Sequence, residues 1–386
     1  MASIPRVIAV TTARSDASPS SFLHRTLKQS QALDFGLLVG GAHLLERQGN
    51  TVRHLEAAQM PIVGRLPFLR EEEGTLTPEA AARALREAAS AFEQLTPDLV
   101  LLYGDRIELL PIANAALLTH TPIGHLCGGD VTEGAMDDAV RHAVTKLSHL
   151  HFPATATSQR RILAMGEMPS RVHLTGDPAL DVFVRGPRAS DAEVVQRLGF
   201  LPNEQTILVT VHPETVTGGE GASKHAETVC AALLRLEGDV IITAPAPDPG
   251  FEALETAFRT LVSRRPRTHF VPSLGSEVFR AVAARCGLFL GNSSSGLIEA
   301  PAVQLPVVNL GHRQHGRERG HNVIDCPFDA TAMLAAIERA RSETFRRSLE
   351  KTTSPYGDGY ASERIRDVLS ALPSRAELLH KKFSTP

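Results

Sequence analysis

Short apolar, β-branched runs alternate with longer helical patterns along this chain, and they do so twice. That rhythm builds βαβ units around mostly parallel sheets, and it is the tightest constraint on the fold. The first series reads "RVIAVTT", "FGLLVG", "PDLVLLYG", "TPIGHL", "HLHFPA" and "RVHLTG". A second starts afresh with "QTILVTVHP", "DVIITAP", "THFVPS", "GLFLGN" and "LPVVNLG". Between them lies "GDPALDVFVRGPRASDAEVVQRLGFLPNEQ", rich in proline and polar residues, where a domain boundary belongs, near residue 182. At 386 residues the chain also exceeds the size at which one core keeps growing. The expectation is two doubly wound α/β domains, residues 1–182 and 183–360. A last helix, roughly residues 361–383, follows the break "TSPYGDGY" and is expected to return to the first domain. Such sheets bind ligands at the carboxyl ends of their strands, so two facing halves predict one inter-domain cleft.

Composition removes several classes of function. Net charge is −3, with 22% charged and 42% hydrophobic residues, so the basic excess that serves nucleic-acid binding is missing. Cys127, Cys230, Cys286 and Cys326 form no C-x-x-C pair, which argues against a zinc site and a disulfide framework and suits a reducing cytoplasm. The N-terminal stretch "MASIPRVIAVTTARSD" has no basic leader or cleavage site, and no apolar run nears the ~18 residues that span a bilayer. No nucleic-acid or membrane partner is expected, and the predicted location is cytoplasmic.

The chemistry-bearing motifs fall at strand ends. "GNSSSGLIEA" (residues 291–300) puts Asn292, Ser293, Ser294, Ser295 and Gly296 where a buried strand gives way to a helix, whose first N–H groups attract an anion such as phosphate. Glu299, about one turn further on, can take both hydroxyls of a ribose; the plainer reading is a serine cap with a solvated glutamate. "NLGHRQHGRERGHNVID" adds Arg313, Arg317 and Arg319, whose planar forks suit phosphate, although Arg317 and Arg319 read better as a solvated basic loop. In the first half, "YGDRIELL" places Asp105 and Arg106 after a strand. The next motif gathers Asp130, Glu133, Asp137, Asp138, Arg141, His142 and Lys146. Two carboxylates near one cleft are what removal and return of a carbon-bound proton require. Alternatively, Asp137–Arg141 and Asp138–His142 are i,i+4 helix pairs worth only about 0.2–0.5 kcal/mol each.

Together these stretches resemble the UDP-N-acetylglucosamine 2-epimerase family, specifically its hydrolysing branch, the type that starts sialic and legionaminic acid synthesis. The resemblance rests on "TARSD", "GGAHLLERQGNT", "GDR", "GGDVTEGAMDDAVRHAVTKLSHLHF", "VTVHPET", "GNSSSGLIEAP", "LGHRQHGRERG" and "SPYGDGYASERI", in order over nearly the whole chain. It implies the GT-B fold, two facing Rossmann-like domains with the nucleotide held mainly by the second, no metal or other cofactor, and a homodimer or homotetramer. It also implies the reaction: a UDP-2-acetamido sugar loses a proton from C2 and UDP from C1, and water adds to the glycal-like intermediate to give the free 2-epimer. Arg14, Ser18, His212, Ser293, Ser294, Glu299 and Arg313 match nucleotide-contacting positions, with Arg106, Asn292, Ser295 and Gly296 beside them. Asp105, Asp137 and Arg141 match first-domain active-site positions. His43 lines the sugar or phosphate pocket or, almost equally well, stabilises a turn.

The departures matter. Where the resemblance expects a glutamate in "HxEGG" this chain reads "HLCGGD", and losing one general acid or base costs about 10²–10⁴ in rate. Three accounts are open: Asp130 supplies the carboxylate, Cys127 transfers the proton itself as a thiolate, or Cys127 is a small buried residue and Asp105 with Asp137 is the acid/base pair. Ala17 replaces a tyrosine and Ala246 an amide, so a 2,4-diacetamido-trideoxy sugar stands beside N-acetylglucosamine as substrate. A GT-B glycosyltransferase, or a nucleotide-sugar-binding protein without turnover, remains the alternative.

Overall fold

The computed structural model describes residues 4–73, 75–133, 136–214, 221–245 and 250–384; Ala246 lies outside them. The chain divides into two compact units. One is Met1–Val131 with Met136–Val182 and Tyr356–Pro386; the other is Thr132–Ala135 with Phe183–Pro355.

The first unit holds six strands: β1 (Arg6–Thr11), β2 (Asp34–Gly40), β3 (Ile62–Leu66), β4 (Leu99–Tyr103), β5 (Ile123–Leu126) and β6 (Leu150–Phe152). They pair in parallel in the order β3-β2-β1-β4-β5-β6. Their central strands are buried on both faces, which is why they read as unbroken apolar runs. Helices cover the sheet. Pro78–Leu95 starts at Thr77, whose hydroxyl accepts the Ala80 N–H, and turns Ala80, Ala84, Ala88 and Phe92 inward at a spacing of four.

The second unit repeats the plan with β7 (Ile207–Thr210), β8 (Val240–Thr243), β9 (Thr268–Val271), β10 (Leu288–Gly291), β11 (Val307–Leu310) and β12 (Val323–Cys326). Its order is β12-β11-β10-β7-β8-β9, again all parallel. Strand order reverses between β1 and β4 in one unit and between β7 and β10 in the other, and ligands of doubly wound sheets bind outside such reversal points.

Three sequence expectations are corrected. β3 and β12 were not expected; they are edge strands whose half-exposed residues interrupt the apolar run. "RVHLTG" is no strand: Val172 makes a single bridge to His151 beside β6. The last helix is two, Ala361–Ser370 and Arg375–Leu379, because Pro373 in the intervening turn cannot continue the first. Within the first unit Asp181 accepts the Ala361 and Ser362 N–H groups (2.9 and 2.6 Å) and so caps the returning helix. No described helix is long and apolar enough to cross a membrane.

Candidate active site

In the first unit the chain leaves β1 into a helix, Arg14–Lys28, and the turn is fixed by one buried carboxylate. Asp16 accepts the Thr12 N–H (3.0 Å), the Thr12 hydroxyl (2.9 Å), the Ala13 N–H (3.2 Å) and the Thr11 hydroxyl. Burial pushes its pKa up while the Thr11 and Thr12 donors and the Arg106 charge hold it down, and burial prevails. His43 belongs to the turn after β2. It is 1% exposed, with Nε2 against the Thr11 hydroxyl (2.9 Å) and Nδ1 against Thr51 (2.7 Å), and burial lowers its pKa to about 4. With both nitrogens occupied, it has the contacts that a turn-stabilising histidine needs. Arg14 and Ser18 lie exposed on the same helix.

Beyond β4, Arg106 donates to Ser15 (3.0 Å) and to Glu108 (2.6 Å). Burial works against its charge, yet Glu108 and then Asp16 outweigh that and raise its pKa. Asp105 pairs with Arg141, which is 1% exposed and lies on the helix Met136–Leu147. Arg141 also donates to the Asp130 carbonyl (2.9 Å) and reaches Asp138 (3.4 Å). A guanidinium out of water is tolerable only with its donors filled, and here three aspartates fill them, two by carboxylate and one by backbone. The Asp138 carboxylate also reaches His142 at 3.5 Å, an i,i+4 pair offered by the sequence, so Arg141 and His142 share Asp138. Asp137, next to it, is exposed.

The turn after β5 carries Cys127, Gly128, Gly129 and Asp130. Cys127 has φ +58°, uncommon for a residue with a side chain, and Gly129 has φ +79°, with the Ser158 carbonyl where a Cβ would stand. Asp130 accepts from the Ser158 hydroxyl, and Arg161 donates to the Gly129 carbonyl. His125 beneath the turn binds Thr145 (3.0 Å) and the Gly104 carbonyl (2.8 Å), and burial keeps it neutral with a pKa of about 4. Cys127 is buried. Desolvation, then Asp177 and Asp130, push its thiol far above the ordinary range, which counts against a thiolate there. Sequence reading missed Asp177 and Tyr103, whose hydroxyl donates to Asp177 at 3.2 Å; 74 residues separate them and no local pattern joins them. Asp138 was seen only as a helix-pair partner, although its place three residues before Arg141 carried the signal.

In the second unit the reversal point is closed by Asn292, which is fully buried. Its Oδ1 accepts the His212 N–H (2.7 Å) and its Nδ2 donates to the His212 carbonyl (2.9 Å), joining the ends of β7 and β10. Gly291 is required there: at φ +150° a Cβ would lie 1.9 Å from the Thr210 carbonyl oxygen. The His212 ring is pushed down to a pKa of about 3 by burial and then by Arg313. Arg313 approaches the Asn292 carbonyl (3.4 Å), where Gln314 also donates (2.9 Å), and Glu214 accepts the His312 and Arg313 N–H groups (2.6 and 3.2 Å). Arg319 is held by Asp325 and loop carbonyls rather than solvated.

The serine turn differs from its expectation. The helix is one turn, Ser295–Ile298, and passes through Glu299 into a 3-10 turn, Ala300–Val303, which holds Pro301. A long-helix dipole is therefore replaced by local donors, with the half-buried Ser293, Ser294 and Ser295 above a tightly packed Gly296. The Ser294 side chain makes no cap bond, and the Ser293 hydroxyl accepts from the Ser295 N–H (3.4 Å). Among the described residues no three His, Cys, Asp or Glu side chains gather as metal ligands would.

Comparison with known proteins places this geometry in context. A family model described as UDP-N-acetylglucosamine 2-epimerase matches residues 25–370. The chain is 34% identical to a Legionella pneumophila protein named UDP-N,N'-diacetylbacillosamine 2-epimerase (hydrolyzing), over 98% of this chain and 99% of that one. A Campylobacter jejuni protein named GDP/UDP-N,N'-diacetylbacillosamine 2-epimerase (hydrolyzing) is 28% identical over 92% and 93%. The fold is of the GT-B type: it is similar to the crystal structure of UDP-GlcNAc 2-epimerase from Neisseria meningitidis bound to UDP-GlcNAc, with TM-score 0.79, 18% identity and 94% and 98% of the two chains covered.

Proposed function

The chain belongs to the UDP-N-acetylglucosamine 2-epimerase family and is an enzyme of its hydrolysing type, and on that premise we propose that it converts a UDP-linked 2,4-diacetamido-trideoxy sugar and water to the free 2-epimer and UDP. The observation that carries this reading is the near full-length likeness to relatives whose names specify both the hydrolytic outcome and the diacetamido sugar.

The chemistry divides between the units. In the first, a carboxylate takes the C2 proton as the C1–O bond breaks, and its electron pair leaves with UDP. Water then adds its hydroxyl to C1 of the glycal, and a proton returns to C2 from the opposite face. Asp105 and Asp137 are assigned this proton transfer, with Asp130 as the carboxylate beside the Cys127 turn. The buried Arg141 fixes the direction of the half-buried Asp105 by an ion pair. In the second unit the Ser293–Ser295 turn and Arg313 take the diphosphate, Glu299 the ribose, and His212 with Asn292 shapes the floor. Arg14, Ser18 and Arg106 complete the anion contacts from the first unit. This reading includes a cytoplasmic homo-oligomer, for which light scattering on the pure protein is the check; four free cysteines suit that compartment.

The test is incubation in deuterated water with the UDP-linked diacetamido sugar and, separately, UDP-N-acetylglucosamine. Free UDP and a 2-epimer deuterated at C2 are expected, faster from the first donor. UDP release with an unlabelled sugar contradicts the elimination, and release only with an added acceptor makes the chain a glycosyltransferase.

A further inference from the structure

In the loop after β4 stands a buried carboxylate to which the reaction gives no part. Glu108, 4% exposed, is the N-cap of the helix Leu109–Leu118. An acidic residue at that position ordinarily accepts from the first N–H groups of its own helix, but the Glu108 side chain makes no cap bond. Its Oε1 takes Arg106 Nη2 at 2.6 Å instead, and Oε2 is buried with no partner among the described residues. A carboxylate held out of water by one ion pair is a costly arrangement, and Arg106 is the group that gains from it.

Arg106 is tied on two sides. Nη1 donates to the Ser15 hydroxyl (3.0 Å) in the first turn of the helix Arg14–Lys28, and Nη2 to Glu108, which together fix the plane of the guanidinium. Ser15 is exposed and the Glu108 side chain is buried, so Glu108 is the firmer anchor. The Arg106 side chain remains 34% exposed, and each Nη keeps a second N–H for a partner. We propose that Glu108 is a positioning residue: it holds the Arg106 fork in one orientation, so that the remaining N–H groups meet the phosphate oxygens of a nucleotide sugar without first losing rotamer freedom. The proposal rests on the hydrolysing-epimerase reading, in which Arg106 is an anion contact, and deepens it.

Charge and orientation predict opposite signs here. A carboxylate beside the anion contact repels the anion, so if charge alone mattered, removing it would tighten binding. With orientation prevailing, Glu108→Ala in the full chain is expected to raise the KM for the UDP-sugar and the Kd of UDP about tenfold, with kcat within about threefold, as for a contact made equally in ground and transition states. Glu108→Gln keeps an acceptor at the same reach and is expected to stay within about threefold of the unaltered protein. Arg106→Met is expected to lose at least as much as Glu108→Ala, and the two together no more than Arg106→Met alone, because both remove one contact. UDP bound as tightly or more tightly by Glu108→Ala, glutamine as poor as alanine, or multiplicative losses in the double variant would overturn the proposal.

A second readout needs no nucleotide. Arg106→Met leaves the Glu108 carboxylate buried without its ion partner, so this variant is expected to unfold at a lower urea concentration, and adding Glu108→Gln to restore most of the midpoint. A double variant no firmer than Arg106→Met would overturn the hold of one side chain on the other. Failure of the unaltered protein to turn over any donor or to bind UDP, with the urea pattern intact, would instead sink the hydrolysing-epimerase reading and keep that hold.

Discussion

The two units lay their strands in the same order around the same reversal point, yet they furnish it with opposite chemistry. At the β1/β4 reversal and on β5 beside it stand Asp16, Asp105 and Asp130, satisfied by a buried guanidinium, threonines and Ser158. At the β7/β10 reversal stand an amide, three serines and an arginine, with Glu214 spent on backbone N–H groups. Architecture alone therefore marks one reversal point in each half, and the loops differ in what they bring to it: aspartates around a guanidinium in one, an amide, serines and an arginine in the other.

The largest expected effect separates the halves outright. Asp105→Asn should lower kcat by about 10²–10⁴ and leave UDP affinity within about twofold, read by coupled UDP assay and calorimetry. Asp137→Asn should follow it, whereas Asp138→Asn should act mainly through Arg141; the reverse ranking would move the proton-transfer role one residue along. Next comes the second unit's own constraint. Gly291→Ala places a Cβ 1.9 Å from the Thr210 carbonyl oxygen, and the second unit should lose about 3 kcal/mol or more in denaturant unfolding.

Arg313→Ala sharpens the comparison from the other side, weakening UDP by about 10- to 100-fold, the worth of one charge-assisted contact of roughly 1.5–3 kcal/mol, while leaving the pH dependence of turnover unchanged. A further contrast is in acid stability. His24, His43, His125 and His149 of the first unit are all pushed by burial from 6.5 to about 4, and in the second unit His212 is pushed to about 3. A histidine depressed in the folded state binds its proton more readily when unfolded. Its stabilisation is therefore complete above pH 6.5 and drains away down to about 4, at about 1.4 kcal/mol per pH unit for each. Peptide-resolved hydrogen exchange, corrected for intrinsic rate, should find the first unit loosening before the second between pH 6 and 4.5.

What was legible in the sequence follows from how far each cause reaches along the chain. Buried parallel strands announce themselves because both faces are apolar, so ten of the twelve runs stood out, while β3 and β12, whose exposed residues interrupt the apolar pattern, did not. Asp105 and Arg141 were legible because each sits one short step from a strand or a helix start. The Tyr103–Asp177 bond was not, since it joins a strand end to a loop 74 residues further on. His43 stood between a pocket and a turn in the sequence, because its contacts to Thr11 and Thr51 come from residues 32 and 8 positions away. The serine turn kept its donors but not its helix, because Pro301 arrives before a second turn can form.

One measurement bears most directly on the division of labour between the halves: deuterium incorporation at C2, read together with UDP affinity, in Asp105→Asn. The account predicts UDP bound as tightly as by the unaltered protein and no label entering the sugar. Label entering at the unaltered rate, or UDP binding lost along with it, would contradict it.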